Sequence, residues 1–490
     1  MIKKTLYTSI ALLSLWWILS SLLVKKQPPN VLFICIDDLR PDLNCYGNAE
    51  IQSPNLDALA GESTLFTRHY VTQPTCGASR YSLLTGQRPT RPVHLTNAAI
   101  EKEISDKPRT NTPESFVDHF RRNGYYTVGI GKISHSADGY VYGYQEPKSD
   151  KLELPHSWDE MLFDPGKWKT GWNAFFAYAD GSNRQSRNGE VKPYESAMVS
   201  DDGYPDGLSA QLAITKLNEL ARKKQPFFLS VGFFKPHLPF NAPQKYWDLY
   251  DESKISITPS PGLPENAHPA SLQNSGEFNS YKAGEEHPSL ENPVSDAYAR
   301  KLRHGYYASV SYTDALVGKV LAELKRLKLD KNTIVVVWGD HGWHLGDHRV
   351  WGKHTIFERA VRSVLMVKAP NSAGQKRDEI VSSIDIYPTL LELCSLKPAT
   401  ELDGKSLVGL LKKGKKPTWD NVAYSYYNRG ISVRTDRYRF TKYFRKQEPT
   451  VELYDHTIDP NENHNIAADH PEVVEKLTPL WAKGNTGIFE

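Results

Sequence analysis

Cysteine is scarce in this chain. Only four occur among 490 residues (Cys35, Cys45, Cys76 and Cys394), and no two form a Cys-x-x-Cys pair. Thiols so few and scattered exclude a disulfide scaffold and a thiolate zinc site, so Cys76 in particular needs another explanation. Net charge is equally short: 60 Lys plus Arg stand against 57 Asp plus Glu, a formal balance of +3. A summed field that weak gives no reason for nucleic acid or an anionic membrane as partner, and any preference for anions must be built locally. Internal repeats and low-complexity tracts are also absent. What is present, 39% hydrophobic and 11% aromatic residues, suffices to bury a substantial core, with one large domain and a smaller companion as the natural organisation.

The first residues carry an address. Lys3 and Lys4 precede an apolar run from Tyr7 to Val24, which includes Trp16-Trp17 and is closed by Lys25-Lys26 and a Pro-rich spacer. This reads as a bacterial export signal over residues 1–27, so the product is expected in the periplasm or outside the cell. The small-residue cleavage site is poor (Leu19-Ser20-Ser21-Leu22), and no cysteine follows for lipid attachment. An uncleaved membrane anchor is therefore the rival reading, although the run is slightly short against the about 20 residues of a comfortable span.

Downstream, helix and strand signals alternate. Residues 31–36, VLFICI, form a β-branched apolar run bounded by Pro29-Asn30 and Asp37-Asp38, as a buried parallel strand with two acids at its C-terminal end would. Ser53-Pro54 predicts a helix start before Leu56, Leu59 and Leu65, because Ser caps well and Pro suits the first helical position. Thr112-Pro113-Glu114 repeats that signal before Phe116 and Phe120, with a stop at Gly124, and YYTVGIGK then reads as strand. Leu208, Leu212, Leu217 and Leu220 predict a helix feeding a strand at 227–234, and Tyr312 to Leu329 predicts another feeding 333–340.

This alternation predicts an α/β fold with a mostly parallel sheet wrapped by helices, in which ligands gather beyond the carboxyl ends of the strands. Asp37-Asp38, Lys132, His237 and Asp340-His341 all fall just after predicted strands, so one shared site is expected. Residues 251–293, rich in Pro, Ser, Asn, Glu and Gly, predict a long surface loop or rim. After Lys412-Lys413-Gly414-Lys415-Lys416-Pro417, the pieces VAYSYY, GISVRT, YRFTKYF and VELYD predict a small antiparallel subdomain over 414–490.

The most specific segment is Cys76-Gly77-Ala78-Ser79-Arg80, continuing YSLLTG to Gly86. It resembles the signature C-x-P/A-S-R followed by x-x-x-x-T-G of type I sulfatases, and most of the chain from Asn30 onward is similar to the iduronate-2-sulfatase branch of that family. The resemblance implies an alkaline-phosphatase-like fold and a sulfuric ester hydrolase whose catalytic domain is 28–413. It also implies that a maturase oxidises Cys76 to formylglycine, whose aldehyde hydrates to a geminal diol. A serine would be left holding a stable sulfate ester, whereas a diol attacks sulfur with one hydroxyl and expels sulfate with the other. Arg80, four residues on, would share the helix face of position 76 and hold the diol and its developing charge. Ala78 stands where many members carry proline, a departure that leaves the reaction intact and bears on which maturase acts.

The same resemblance assigns one Ca²⁺ to Asp37, Asp38, Asp340 and His341 together with modified residue 76. Oxygen donors at two strand ends suit calcium, and a hard cation on a sulfate oxygen polarises sulfur. A competing metal reading is zinc on His341, His344 and His348, spaced H-x-x-H-x-x-x-H. Gly131-Lys132-Ile133-Ser134-His135 resembles the family's G-K-x-x-H, in which Lys132 contacts the diol and His135 removes its proton. Lys235-Pro236-His237-Leu238-Pro239-Phe240 resembles K-P-H-x-P-F, whose His237 faces the leaving alcohol and donates it a proton. Lys353, in VWGKH, matches a lysine that binds a sulfate oxygen. Histidine suits both proton roles because its pKa lies near working pH.

Trp158, Trp168, Trp172, Phe175, Phe176 and Tyr178 crowd the region between the two histidines and either pack as core or line a sugar site. The substrate implied is a sulfated polysaccharide or oligosaccharide of ulvan, carrageenan, fucoidan or glycosaminoglycan type. A phosphomonoester or phosphonate-ester hydrolase of the same superfamily, and an inactive carbohydrate-binding relative, are the alternatives.

Overall fold

The structure, a computed structural model, describes residues 27–105, 113–145, 147–414 and 417–490. The apolar address segment lies outside them except for Gln27. Among the described residues no helix is long and apolar enough to cross a membrane.

The main sheet takes, in chain order, β1 (Asn30–Ile36), β2 (Thr64–Tyr70), β3 (Tyr126–Gly131), β4 (Glu160–Leu162), β5 (Phe227–Phe233), β6 (Thr333–Gly339), β7 (Leu365–Lys368) and β8 (Gln375–Ser382). Its spatial order is β2-β7-β6-β1-β5-β3-β4, with Arg362–Ser363 and β8 also paired to β2. From β6 to β4 every pairing is parallel, whereas β7 runs antiparallel to both neighbours, so the sheet is mixed. Val31 to Ile36 are 0% exposed, as a central strand covered on both faces requires. Leu32, Ile34 and Ile36 enter one core layer while Val31, Phe33 and Cys35 enter the other. Each fully buried side chain of this size contributes about 1.5–3 kcal/mol relative to exposure.

Six helices matter for the site: α1 (Pro54–Glu62), α2 (Cys76–Thr85), α3 (Phe116–Arg122), α4 (Pro205–Leu220), α5 (Asp296–Arg326) and α6 (Pro471–Ala482). α1 starts where Ser53-Pro54 predicts, but the Ser53 hydroxyl caps nothing and turns to Asp57. Asp314 of α5 accepts instead from Asn55 N and Leu56 N, at 3.2 and 2.7 Å, so a tertiary contact caps the helix. α3 begins later than Thr112-Pro113 suggests. Thr112 lies outside the described residues, and Ser115 is the cap, accepting from Asp118 N at 3.0 Å. α5 begins at Asp296 rather than Tyr312, because Ser295 caps it and Tyr298, Leu302, Tyr306 and Val310 extend its buried stripe at helical spacing.

The C-terminal pieces form an antiparallel sheet, β9 (Ala423–Tyr427), β10 (Gly430–Arg434), β11 (Tyr438–Tyr443) and β12 (Val451–Asp455). With α6 it encloses its own core of Tyr426, Ile431, Val433, Phe440, Leu453 and Trp481. A buried charge cluster joins this sheet to the main body. Glu358 pairs with Arg439 at 2.5 Å and Arg434 at 3.4 Å, Arg439 also holds Glu462, and Glu462 accepts from Glu358 N at 2.7 Å.

Candidate active site

The parallel register aligns the strand ends. Ile36 of β1 sits opposite Phe233 of β5 and Gly339 of β6, and Gly131 of β3 sits opposite Gly232. The residues that follow these positions therefore emerge at one edge. Gly131 and Gly232 make that edge tight: a Cβ on Gly232 would lie 2.2 Å from Lys132 O. Asp38 adopts φ 59°, a left-handed turn that Asp tolerates better than most residues. The turn breaks strand alternation, so Asp37 and Asp38 both serve the same site.

Cys76 opens α2, and its side chain meets the other strand end: Sγ lies 3.2 Å from His341 Nε2. Donor atoms of Asp37, Cys76, Asp340 and His341 all fall within 4.8 Å of one another, and those of Asp38, Cys76 and His237 do likewise. Three cations answer three carboxylates. Arg80 donates to Asp340 Oδ2 through Nε and Nη2, at 3.1 and 2.9 Å, and to Asp37 Oδ1 at 3.3 Å. Its Nη1 donates to Lys132 O at 2.6 Å, which ties α2 to the end of β3. Lys132 Nζ reaches Asp37 Oδ2 at 2.5 Å, and Lys353 Nζ reaches Asp38 Oδ1 at 3.0 Å.

Electrostatics separates the acids. Burial works against the Asp37 carboxylate, but Lys132 and Arg80 outweigh it and hold its pKa well below the usual range. Burial pushes Asp38 well above that range against Lys353 and His341, and burial together with Asp37 raises Asp340. Asp38 and Asp340 are thus short of positive charge. Burial also pushes the Cys76 thiol up to about 12, so the unmodified side chain is a poor nucleophile at neutral pH.

The donors fit a hard cation. His341 Nδ1 faces Gly342 O at 3.0 Å, which turns Nε2 toward the centre, 3.2 Å from Cys76 Sγ, 3.3 Å from Asp38 Oδ1 and 3.7 Å from Asp340 Oδ1. A ring nitrogen and carboxylate oxygens that converge in this way can share one cation between them. The zinc alternative is not assembled: His344 Nε2 bonds Thr355 Oγ1 at 2.8 Å, and neither His344 nor His348 joins a convergent donor group among the described residues.

Both remaining histidines adjoin this centre. Burial and Lys132 keep His135 well below its ordinary pKa, and its Nδ1 has no hydrogen-bond partner. Burial and then Lys353 push His237 down to about 4, while Glu277 acts in the other direction. His237 Nδ1 lies 2.6 Å from Leu238 O, and Nε2 lies 3.0 Å from Glu277 Oε1. With Nδ1 donating to that carbonyl, Nε2 carries a proton toward Glu277 only in the imidazolium form, which burial and Lys353 oppose and Glu277 favours.

Glu277 is the residue that sequence reasoning missed. It lies inside the stretch read as a surface loop, which instead turns inward here: Ser275, Phe278 and Tyr281 are at most 1% exposed. Glu277 also pairs with Lys353 at 3.3 Å. Phe278 and Tyr281 beside it were the available signal, too short to make a period. The crowded aromatic segment proves to be core, since Trp158, Trp168, Trp172, Phe175, Phe176 and Tyr178 are all buried. It still touches chemistry: Phe175 packs 4.5 Å from the His237 ring and 4.1 Å under Lys132 Nζ, and Trp172 lies 5.5 Å from His135.

Comparison with known proteins agrees with this geometry. The chain is 32% identical over 479 residues to a sulfatase of Formosa agariphila, covering 94% of this chain and 88% of that one. It is 29% identical to the iduronate 2-sulfatase of Mus musculus, with 92% and 93% covered. The phosphonate monoester hydrolase of Agrobacterium radiobacter shares the fold at a TM-score of 0.71 and 23% identity, over 93% of this chain and 96% of that one. Residues 346–483 match the C-terminal region of N-sulphoglucosamine sulphohydrolase. Residues 29–396 match the sulfatase family, with its alkaline-phosphatase-like fold, and the chain belongs to that family.

Proposed function

We propose that this sulfatase removes sulfate from a sulfated polysaccharide or oligosaccharide of ulvan, carrageenan, fucoidan or glycosaminoglycan type. In this reading Cys76 is carried as formylglycine and one Ca²⁺ is bound by Asp37, Asp38, residue 76, Asp340 and His341. The observation that carries it is the meeting of Cys76 with buried carboxylates from two strand ends and with Arg80, Lys132 and Lys353. Similarity to iduronate 2-sulfatase, an enzyme named for a sugar, supports the carbohydrate class.

When present, the hydrated aldehyde and the cation supply a nucleophilic hydroxyl with a twin for release, and a Lewis acid for the sulfate oxygens. The chain's own residues do the rest. Arg80 and Lys132 fix the orientation of residue 76 and neutralise Asp37, so that the developing negative charge meets organised donors. Lys353 binds a sulfate oxygen. His237 gives the leaving alcohol its proton, with Glu277 orienting Nε2. His135, held neutral with an unbonded Nδ1, accepts the proton whose removal frees the product. Residues 28–413 carry this chemistry and 414–490 brace it, while residues 1–27 export or anchor the chain.

The test is co-expression with a formylglycine-installing maturase, intact-mass analysis of residue 76, and parallel kinetics on aryl sulfate and aryl phosphate. Formylglycine at position 76 with preferred turnover of the sulfate is the expected result. A strong phosphate preference defeats the reading, as does tight binding of sulfated sugars without desulfation.

A further inference from the structure

The aromatic segment supplies more than core. Tyr144 keeps 43% of its surface exposed beside buried Trp172 and Phe176, and its ring stands edge-on to them at 4.5 and 5.6 Å. Trp172 also lies 5.5 Å from the His135 ring and Phe176 lies under Arg184, so one aromatic residue separates the exposed Tyr144 ring from the reactive centre on one side and from Arg184 on the other. The Arg184 guanidinium lies 3.7 Å over the Phe176 ring and 5.3 Å over Tyr281, and its Nη1 donates to Ser280 Oγ at 3.1 Å.

That cation is unspent. Nearby Arg187 pairs with Asp180 at 3.0 Å, whereas Arg184 makes no ion pair among the described residues. Two aromatic faces and a serine hold its plane without neutralising it, which is how a guanidinium is prepared for an incoming carboxylate or sulfate. Its place is also defined: Phe176, on which it lies, stands 6.3 Å from the His237 ring. One aromatic ring therefore separates the guanidinium from the histidine assigned to the leaving alcohol.

We propose that Tyr144 and Arg184 form the sugar subsite on the leaving-alcohol side, Tyr144 stacking on a pyranose ring and Arg184 pairing with a second anionic group of the substrate. The proposal rests on the sulfatase reading of the adjoining centre and narrows its substrates to carbohydrates bearing a second negative charge, a carboxylate or a further sulfate. Cleavage itself is unchanged.

The test uses the full-length Cys76→Ala protein as a binding trap. Three disaccharides, each with one sulfate ester and bearing a carboxylate, a second sulfate or neither, are titrated by calorimetry. The trap is expected to bind one or both doubly anionic sugars about tenfold tighter than the singly charged one. Adding Arg184→Gln should erase that preference and Arg184→Lys should retain part of it, and the arm that loses most names the anion. Tyr144→Ala should weaken all three alike and Tyr144→Phe should not, with melting curves confirming that each variant is folded. Equal affinity for the three sugars in the trap, or a preference that survives Arg184→Gln, overturns the subsite. An intact preference in a matured enzyme that releases no sulfate overturns the sulfatase reading and leaves the subsite standing.

Discussion

Cys76 Sγ and His341 Nε2 lie 3.2 Å apart although 265 positions separate them in the chain. The contact joins the start of α2 to the end of β6, and neighbouring bonds hold the two together: Ser79 Oγ donates to Asp340 O at 2.6 Å, and Arg80 donates twice to Asp340 Oδ2.

Replacing Cys76 by Ala should abolish sulfate release and leave the fold in place, at a cost of about 1 kcal/mol, since His341 is the only hydrogen-bond partner found for the thiol among the described residues. Ion chromatography of released sulfate and a melting curve check the two halves. Turnover comparable with wild type would remove Cys76 from the mechanism.

Metal removal should act on stability as well as rate. Asp38 and Asp340 are buried and short of positive charge, so chelation should lower the melting temperature and added Ca²⁺ should restore it. At a hundredfold excess over its Kd the ion contributes about 2.7 kcal/mol. Asp38→Asn should blunt that recovery, and scanning calorimetry with and without chelator measures it. A melting temperature indifferent to the chelator would count against the site.

Acid should unfold the protein partly through His69 of β2. Burial lowers its pKa from 6.5 to about 3, and its ring nitrogens contact Ser363 O and Ser383 Oγ. Between those values the unfolded chain binds the proton that the folded one refuses, so stability falls as pH drops below 6.5 and levels off near 3. The loss amounts to roughly 5 kcal/mol from this residue. His69→Asn should flatten urea-denaturation free energies across pH 4 to 7, and an unchanged slope would refute the assignment.

Arg439→Ala should destabilise by about 3 kcal/mol, because it removes the cation that Glu358 and Glu462 share and leaves the first with Arg434 and the second with the His456 ring. Denaturant unfolding reads the loss directly. A change below 1 kcal/mol would mean that the cluster does not hold the two sheets together.

Much of this was legible in the chain itself. VLFICI, the segment at 227–234 and TIVVVWG announce strands because buried parallel strands need unbroken apolar runs, and the acids, lysine and histidines that follow them are the residues that meet. β2 was not legible: Arg68 and His69 interrupt its apolar pattern, and their partners Asp378, Ser363 and Ser383 lie some 300 positions away. The cap of α1 was misread for a similar reason, since Asp314 does locally what Ser53 is equipped to do. Glu277 was hidden by composition, because a Pro- and Ser-rich stretch carries no periodicity to show that one carboxylate turns inward.

Every residue of α2 from Cys76 to Thr85 is buried, and only 4% of Cys76 reaches the surface, enough for a small anionic group but not for the active site of another protein. No second enzyme can grasp a thiol in that position without dismantling the helix around it. Any oxidation of Cys76 is therefore a matter of chronology: it happens while the chain is still open, during synthesis or transit, and a molecule that folds first is locked out of the chemistry for good.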